Sequence, residues 1–182
     1  MTIREISEIG SPIIREGATH IPKAGSSETK RLARDMIATM EAKQGVGIAA
    51  PQIGSSERMF IASAKPNSRY PHAPEMEPML VIDPKIKKQS GKIVKDWEGC
   101  LSVPNIRGFV PRHEKIIMEY TDENGERKEQ AFEGFLARLM QHETDHLNGI
   151  VFIDRVETTK DLISEKEYYR RLEARAKAGL KL

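Results

Sequence analysis

The chain has 182 residues, a length that suits one domain with a sizeable core, so we expect residues 1–182 to form a single domain. A net charge of +2 and an aromatic content of 5% give no support for a protein that binds DNA specifically. One cysteine excludes an internal disulfide, and no apolar run reaches the length of a membrane span, so we expect a cytoplasmic protein without a membrane partner.

The N-terminal part of the chain predicts turns, one helix and one strand. Residues 1–25 are short apolar segments broken by glycine and proline, which is typical of turns and extended chain. The serines at 26–27 can cap a helix that runs to about Lys43, because apolar residues recur there at helical spacing. Residues 59–64 predict a strand, and the proline-rich stretch 66–78 predicts a loop.

The remainder predicts strands and then two helices. The strand candidates are 79–87, 106–111, 115–121 and 127–132. Residues 123–126, Glu-Asn-Gly-Glu, form a hairpin turn between the last two strands. Helices are predicted over 134–147 and about 158–177. This order indicates an α+β fold, with antiparallel sheets packed around a central helix and with an N-terminal and a C-terminal helix.

The strongest chemical signal is His-Glu-Thr-Asp-His at 142–146, on the central helix. His142 and His146 are four residues apart, so their imidazoles project from one helix face and can bind one metal ion together. Glu143 can then take a proton from a water at that metal. The pattern alone leaves open a solvated helix face with two unrelated histidines.

A hydrolytic metal site needs about three protein ligands and one open position, and the third ligand decides the class. No histidine follows His146, but four downstream glutamates are available to a protease-type site: Glu157, Glu165, Glu167 and Glu173. Upstream lies Cys100, next to Gly99, where the backbone can approach another group closely. A lone cysteine is more often a buried small hydrophobe than a ligand, so both interpretations stay open.

Residues 45–52, Gly-Val-Gly-Ile-Ala-Ala-Pro-Gln, combine small side chains with one amide. Gly47 and Ala49 leave space beside whatever they face, and Gln52 supplies a neutral donor and acceptor. The alternative is a helix stop at Gly45 followed by a packed loop. A phosphate-binding loop is excluded because its lysine and its serine or threonine are absent.

Three segments together resemble the signature motifs of peptide deformylases, in the order found in that family: residues 45–52, 98–102 (Glu-Gly-Cys-Leu-Ser) and 141–146 (Gln-His-Glu-Thr-Asp-His). The resemblance spans roughly residues 3–155, and Ile48 stands where leucine is commoner. It implies a hydrolase that removes the formyl group from N-formylmethionine at the N-terminus of newly synthesised polypeptides and releases formate.

The resemblance also implies a role for each group. One divalent metal ion would be held by Cys100, His142 and His146. The physiological ion would be Fe²⁺, with Zn²⁺, Ni²⁺ or Co²⁺ as substitutes. Glu143 would be the general base, while the Gln52 amide and the Leu101 backbone N–H would stabilise the oxyanion.

Substrate contacts are implied around these groups. The substrate-binding residues would be Gly45, Val46, Gly47, Gly99, Arg107 and Leu139. The methionine side chain would lie in an apolar slot that includes Val46, Leu139 and the His142 ring, with Phe135 as a weaker candidate. The peptide backbone would add as a strand beside Val46 and Gly99, and Arg107 would meet residues further along the peptide. A tight wall at Gly47 would exclude an acetyl group.

Several interpretations remain open at this stage. Glu98 and Arg112 could pair behind the site or form a surface ion pair of little value. Asp145 could orient a ligand histidine or be a solvated helix residue. The basic tail within 158–182 could make a weak contact with ribosomal RNA, or be a solvated helix.

Two rival functions can be distinguished by their residues. A metalloprotease would take its third ligand after His146 and would be indifferent to the loss of Cys100. A metal-binding module without catalysis would tolerate Glu143→Gln, whereas a hydrolase would keep its metal and lose turnover.

Overall fold

The structure is a computed structural model that describes residues 1–67, 70 and 73–179. Four residues of the predicted loop 66–78 and the last three residues of the predicted tail lie outside the described residues. The helices are α1 (Ser27–Ala42), α2 (Gly134–His146) and α3 (Glu165–Lys177). The strands are β1 (Gly47–Ala49), β2 (Met59–Ala62), β3 (Met79–Cys100), β4 (Val103–Thr121), β5 (Arg127–Glu133) and β6 (Leu162–Ser164).

All pairings among these strands are antiparallel, in the order β1-β2-β3-β4-β5, and β6 joins the sheet through β4. The predicted strands at 106–111 and 115–121 are one continuous strand, because pairing with β3 runs on through Arg112 and His113. β3 is far longer than predicted and accommodates its bend through register shifts. The predicted α+β fold, with a central helix and a helix near each end, is confirmed.

The third helix begins later than predicted. Residues 159–161 form a short 3₁₀ turn, and residues 162–164 pair with 106–108 of β4. The helix starts only at Glu165, where the Ser164 hydroxyl accepts a hydrogen bond from the Glu167 N–H at 3.3 Å. The predicted start at about 158 is therefore wrong, because pairing with a distant strand is not visible in local periodicity.

α2 is the most buried helix, and it packs against β1, β2, β4 and β5. Its polar residues find partners within the core. The side-chain amide of Gln141 donates to the His113 carbonyl at 2.8 Å, and the Thr144 hydroxyl donates to the Met140 carbonyl at 2.7 Å. A helix with charged and polar residues can therefore run through the middle of the molecule, with 142–146 inside it.

α1 packs against β1 and β2. The Ser26 hydroxyl caps it by accepting from the Thr29 N–H at 3.1 Å, as the serine pair predicted. Its buried residues Met36 and Met40 belong to the same core cluster as Ile48. No helix among the described residues has the length and apolarity needed to cross a membrane.

Candidate active site

Three buried side chains meet at the end of β3. Cys100 is the last residue of that strand, while His142 and His146 stand one turn apart on α2. One donor atom from each of the three lies within 4.8 Å of the other two, and the Cys100 sulfur is 3.2 Å from Nε2 of His146. A thiol and two imidazoles are donors that suit a divalent transition metal. The three residues therefore fit the ligand set expected for such an ion.

The surroundings of Cys100 favour the thiolate. Burial alone raises the pKa of this thiol, but the facing imidazoles of His146 and His142 outweigh burial and hold the pKa well below its ordinary value. The Gln52 amide donates to the sulfur at 3.3 Å, and the Ser102 backbone N–H donates to it at 3.4 Å. The thiolate is the form of cysteine that binds metals.

Glu98 orients one of the two imidazoles. Its Oε2 lies 2.9 Å from Nδ1 of His142, so the ring donates there and turns Nε2 towards Cys100. Arg112 binds the same carboxylate through Nε and Nη2, at 2.9 and 3.0 Å. Burial raises the pKa of Glu98, but Arg112 and His142 lower it by more, and the carboxylate stays ionised. The Glu98–Arg112 pair is only about 5% exposed, so the surface-pair interpretation is wrong.

Two further charged residues, Asp145 and Arg138, belong to the hydrogen-bond network behind the site. Asp145 is buried and accepts hydrogen bonds from Arg112 and Arg155, so the interpretation as a solvated helix residue is wrong. Arg112 connects Asp145 to Glu98, the carboxylate that orients His142. Arg138 donates to Glu98 Oε1 at 2.8 Å and was missed by the sequence analysis. Its position four residues before His142, on the same helix face, was the signal that could have found it.

Glu143 faces the pocket beside these donors. Among the described residues its Oε2 has no hydrogen-bond partner, although the atom is buried. Burial raises the pKa of Glu143 to about 7, and the imidazoles of His142 and His146 oppose that rise only in part. A carboxyl group with a pKa near neutrality is suited to accept and return a proton at physiological pH.

Gln52 is fixed by its own segment. Residues 50–53 form a 3₁₀ turn, and the side-chain Oε1 of Gln52 accepts the Ala49 N–H at 2.8 Å. Its acceptor end is thereby held, and the NH₂ end points at Cys100 and at the Ser102 hydroxyl, 3.2 Å away. Residues 47–49 form β1, which the sequence analysis did not predict.

One pocket contains most of the predicted site. The predicted residues that line it are Gly45, Val46, Gly47, Gln52, Gly99, Cys100, Leu101, Leu139, His142 and Glu143, together with Phe135. Four other lining residues had no role in the sequence-based prediction: Tyr70, Asp96, Trp97 and Arg138. Tyr70 lies in the predicted loop, and no motif or spacing marked its hydroxyl, which donates to the Gly99 carbonyl at 3.1 Å.

Gly47 has no room for a side chain. A Cβ there would overlap the Glu143 carboxylate and stand 2.8 Å from Cδ1 of Leu139. This close approach explains why glycine is needed at the pocket wall.

Arg107 is not among the residues that line the pocket. Its side chain is 1% exposed and binds Glu165, the first residue of α3. The Glu165 carboxylate therefore binds Arg107 and not the histidine pair. Among the described residues, no carboxylate after His146 joins the metal-type cluster. The ligand set of the rival metalloprotease is absent from this part of the chain.

Known proteins share both the sequence and the fold. A family model described as polypeptide deformylase matches residues 3–161. Peptide deformylase 2 of Nostoc sp. is 50% identical over 163 residues, which cover 90% of this chain and 91% of that protein. A peptide deformylase of Leptospira biflexa is 40% identical, with coverage of 88% and 91%. The Met-Ala-Ser-bound crystal structure of a class I type b peptide deformylase from Acinetobacter baumannii has a TM-score of 0.82 at 42% identity, covering 86% of this chain and 100% of that one.

The matched range includes the small-residue run at 45–52, the turn at Cys100 and the histidine pair on α2. Both the family match and the relatives cover far more than half of the chain. The chain therefore belongs to the polypeptide deformylase family, the metal-dependent hydrolases that remove the formyl group from the N-terminal methionine of newly synthesised polypeptides.

Proposed function

We propose that the pocket beside Cys100 is the deformylase active site of this chain. The observation that carries the proposal is the convergence of three kinds of group on one pocket: metal-type donors, the buried Glu143 carboxylate and the Gln52 amide. Amide hydrolysis needs a base, an electrophile and donors for the oxyanion. A metal-binding module without catalysis has no use for a buried Glu143 carboxylate or for the Gln52 amide, so the site supports hydrolysis.

Cys100, His142 and His146 would hold one divalent ion. When bound, such an ion supplies positive charge that polarises a carbonyl group and favours the ionisation of a nearby water. Glu143 accepts the proton of the attacking water and then delivers it to the amine nitrogen that leaves as the C–N bond breaks. Formate and a free N-terminal methionine are the products.

The oxyanion of the tetrahedral adduct receives two donors from the chain. The Gln52 NH₂ group points towards the sulfur because its carbonyl end is held by Ala49. The Leu101 backbone N–H comes from the turn that follows Cys100, and Leu101 lines the same pocket. Loss of one such donor typically reduces turnover by about 10²–10³-fold.

The substrate would lie across the pocket as an added strand. We propose that its backbone runs beside Gly45, Val46 and Gly99, with the methionine side chain against Leu139 and the His142 ring. The absence of space at Gly47 supports selection of formyl over acetyl, because a formyl carbon carries only hydrogen. Arg107 lies directly behind Gly99 and would influence the peptide from there.

The identity of the ion is a separate proposal. One thiolate and two imidazoles accept Fe²⁺, Zn²⁺, Ni²⁺ or Co²⁺, and we propose Fe²⁺ for the enzyme in the cell. Anaerobic purification followed by elemental analysis tests this proposal, and a stoichiometric content of zinc in freshly isolated active protein would contradict it.

The decisive test of function is hydrolysis of formyl-Met-Ala-Ser by anaerobically Fe²⁺-loaded protein, with acetyl-Met-Ala-Ser as the control. Release of formate from the first peptide and no cleavage of the second is expected. Cleavage of an internal peptide bond, or no cleavage of either peptide, would contradict the assignment.

Further proposals concern the setting of the enzyme. We propose that the whole chain acts as a single catalytic domain in the cytoplasm, where its substrates are made. We also propose a weak contact between the ribosome and basic residues of α3, among them Arg170, Arg171, Arg175 and Lys177. Charge reversal of these residues should weaken co-sedimentation with ribosomes at low salt, and an unchanged affinity would refute the contact.

A further inference from the structure

The Arg107 guanidinium is enclosed by the C-terminal helix. Nη2 and Nε of Arg107 lie 2.6 and 3.1 Å from the same carboxylate oxygen of Glu165, and Nη2 donates to the Tyr169 hydroxyl at 3.3 Å. The Tyr168 ring stands with its centre 5.0 Å from the guanidinium carbon. The charge of a buried arginine is thus balanced by one acid and contacted by aromatic faces.

The backbone sets Glu165 at this point. β6 pairs with β4 in a register that puts Ile163 opposite Arg107, and the Ser164 cap then starts α3 at Glu165. Strand pairing and helix capping therefore place the Glu165 carboxylate beside the Arg107 guanidinium. The pair is a built feature of the fold and not a chance meeting of two long side chains on the surface.

Arg107 also backs the edge that the peptide would use. Gly99 and Arg107 are paired across β3 and β4. A Cβ at Gly99 would lie 2.8 Å from Nε, Cζ and Nη1 of Arg107, so the guanidinium lies flat against the Gly99 backbone. Gly99 in turn lines the pocket. In the proposed binding mode, peptide residues that follow the methionine leave the pocket past this point.

We infer that Glu165 is a specificity-determining residue, which cancels the charge of Arg107 behind the peptide-binding edge. This inference rests on the proposed function of the pocket. An arginine without its acid would attract acidic residues after the methionine and repel basic ones. With Glu165 in place, the edge accepts nascent chains of either charge, which suits an enzyme that meets many different N-termini.

The test compares kcat/KM for formyl-Met-Ala-Asp and formyl-Met-Ala-Lys at low ionic strength. In Glu165→Gln, the ratio of the Asp peptide to the Lys peptide should rise by about two- to fivefold over the wild type, the size of a screened ion pair. Glu167→Gln is the matched control. It removes the same charge from the same helix, but Glu167 is 41% exposed and pairs with Arg170 and Arg171, so the ratio should not change.

A second variant should change the ratio of the Asp peptide to the Lys peptide in the opposite direction. Arg107→Gln leaves Glu165 behind the edge without its arginine, and the ratio should fall below that of the wild type. If the role of these residues were purely structural, either variant would lower kcat/KM for both peptides equally. Unchanged ratios in whichever of the two variants folds, or an equal shift in Glu167→Gln, would overturn the inference. Wild-type activity on formyl-Met-Ala-Ser tests the pocket itself, so the two failures are distinguishable.

Discussion

Replacing Gly47 with alanine tests the tightest contact in the pocket. The new methyl group would overlap the Glu143 carboxylate and approach Cδ1 of Leu139 to 2.8 Å. Real Cβ atoms do not come this close to other heavy atoms, so one of these groups has to move. Glu143 is the proposed general base, so its displacement should impair proton transfer.

The size of the effect follows from two separate costs. Overpacking a well-filled site typically costs about 1–3 kcal/mol of folding stability, which lowers Tm by only about 2–12 °C in a chain of this size. Displacing a general base typically costs about 10²–10⁴-fold in turnover. We therefore expect a folded Gly47→Ala protein whose kcat falls by at least about 100-fold.

The assay is formate release from formyl-Met-Ala-Ser, with metal content and Tm measured on the same samples. Gly17→Ala is the control, since a Cβ at Gly17 meets no atom within 4 Å, and it should retain wild-type turnover. If Gly47→Ala keeps the metal and hydrolyses the peptide at the wild-type rate, the steric argument is refuted.

Three other predictions concern metal retention, pH and stability. Cys100→Ala should lose the metal during dialysis, and a variant that keeps one ion per chain would contradict the ligand set. Burial raises the pKa of Glu143 from 4.5 to about 7, so this group stabilises the metal-free protein below about pH 4.5 and that contribution is lost as pH rises through 7. In denaturant unfolding of the chelated protein, Glu143→Gln should therefore be more stable than the wild type at pH 8, by up to about 3 kcal/mol, and no more stable at pH 4. An equal gain in stability at both pH values would exclude the ionisation of Glu143 as the cause. Arg112→Met removes one cationic partner from each of two buried carboxylates, Glu98 and Asp145, and should cost about 3–5 kcal/mol. The exposed Arg127→Met should cost under about 1 kcal/mol, and equal losses in denaturant melts would contradict the buried network.

The helices were predictable because their signals are local. The serine cap and the apolar spacing place α1 within a residue of its observed ends, and α2 is likewise placed. The pairing of His142 with His146 follows from the helical period alone. α3 is the exception, since the first residues predicted for it form a 3₁₀ turn at 159–161 and a strand at 162–164 that pairs with β4.

The sheet was less predictable because strand pairing depends on distant partners. β1 and β6 have three residues each, too few for a period-two pattern to appear. The polar residues at 112–114 interrupt the apolar pattern of β4, yet Arg112 continues the pairing because its side chain has Glu98 and Asp145 as buried partners. A local pattern cannot show that compensation.

The candidate site also combines residues that local signals predict with residues that only distant contacts bring together. Cys100 has no spacing relationship with the histidines, and only the resemblance joined it to them. Only a tertiary contact identifies Tyr70, whereas Arg138 had a local signal in its helical spacing from His142. The interaction of Arg107 with Glu165 likewise depends on the register of β6.

The position of Cys100 at the last residue of β3 links the sheet to the ion. The two-residue turn after it closes the β3–β4 hairpin, with Cys100 opposite Val103. Side chains alternate along a strand, so a slip of one residue would turn the sulfur away from both imidazoles. Only a chain with the correct hairpin presents all three donors together, so we expect the site to bind an ion only after β3 and β4 have paired.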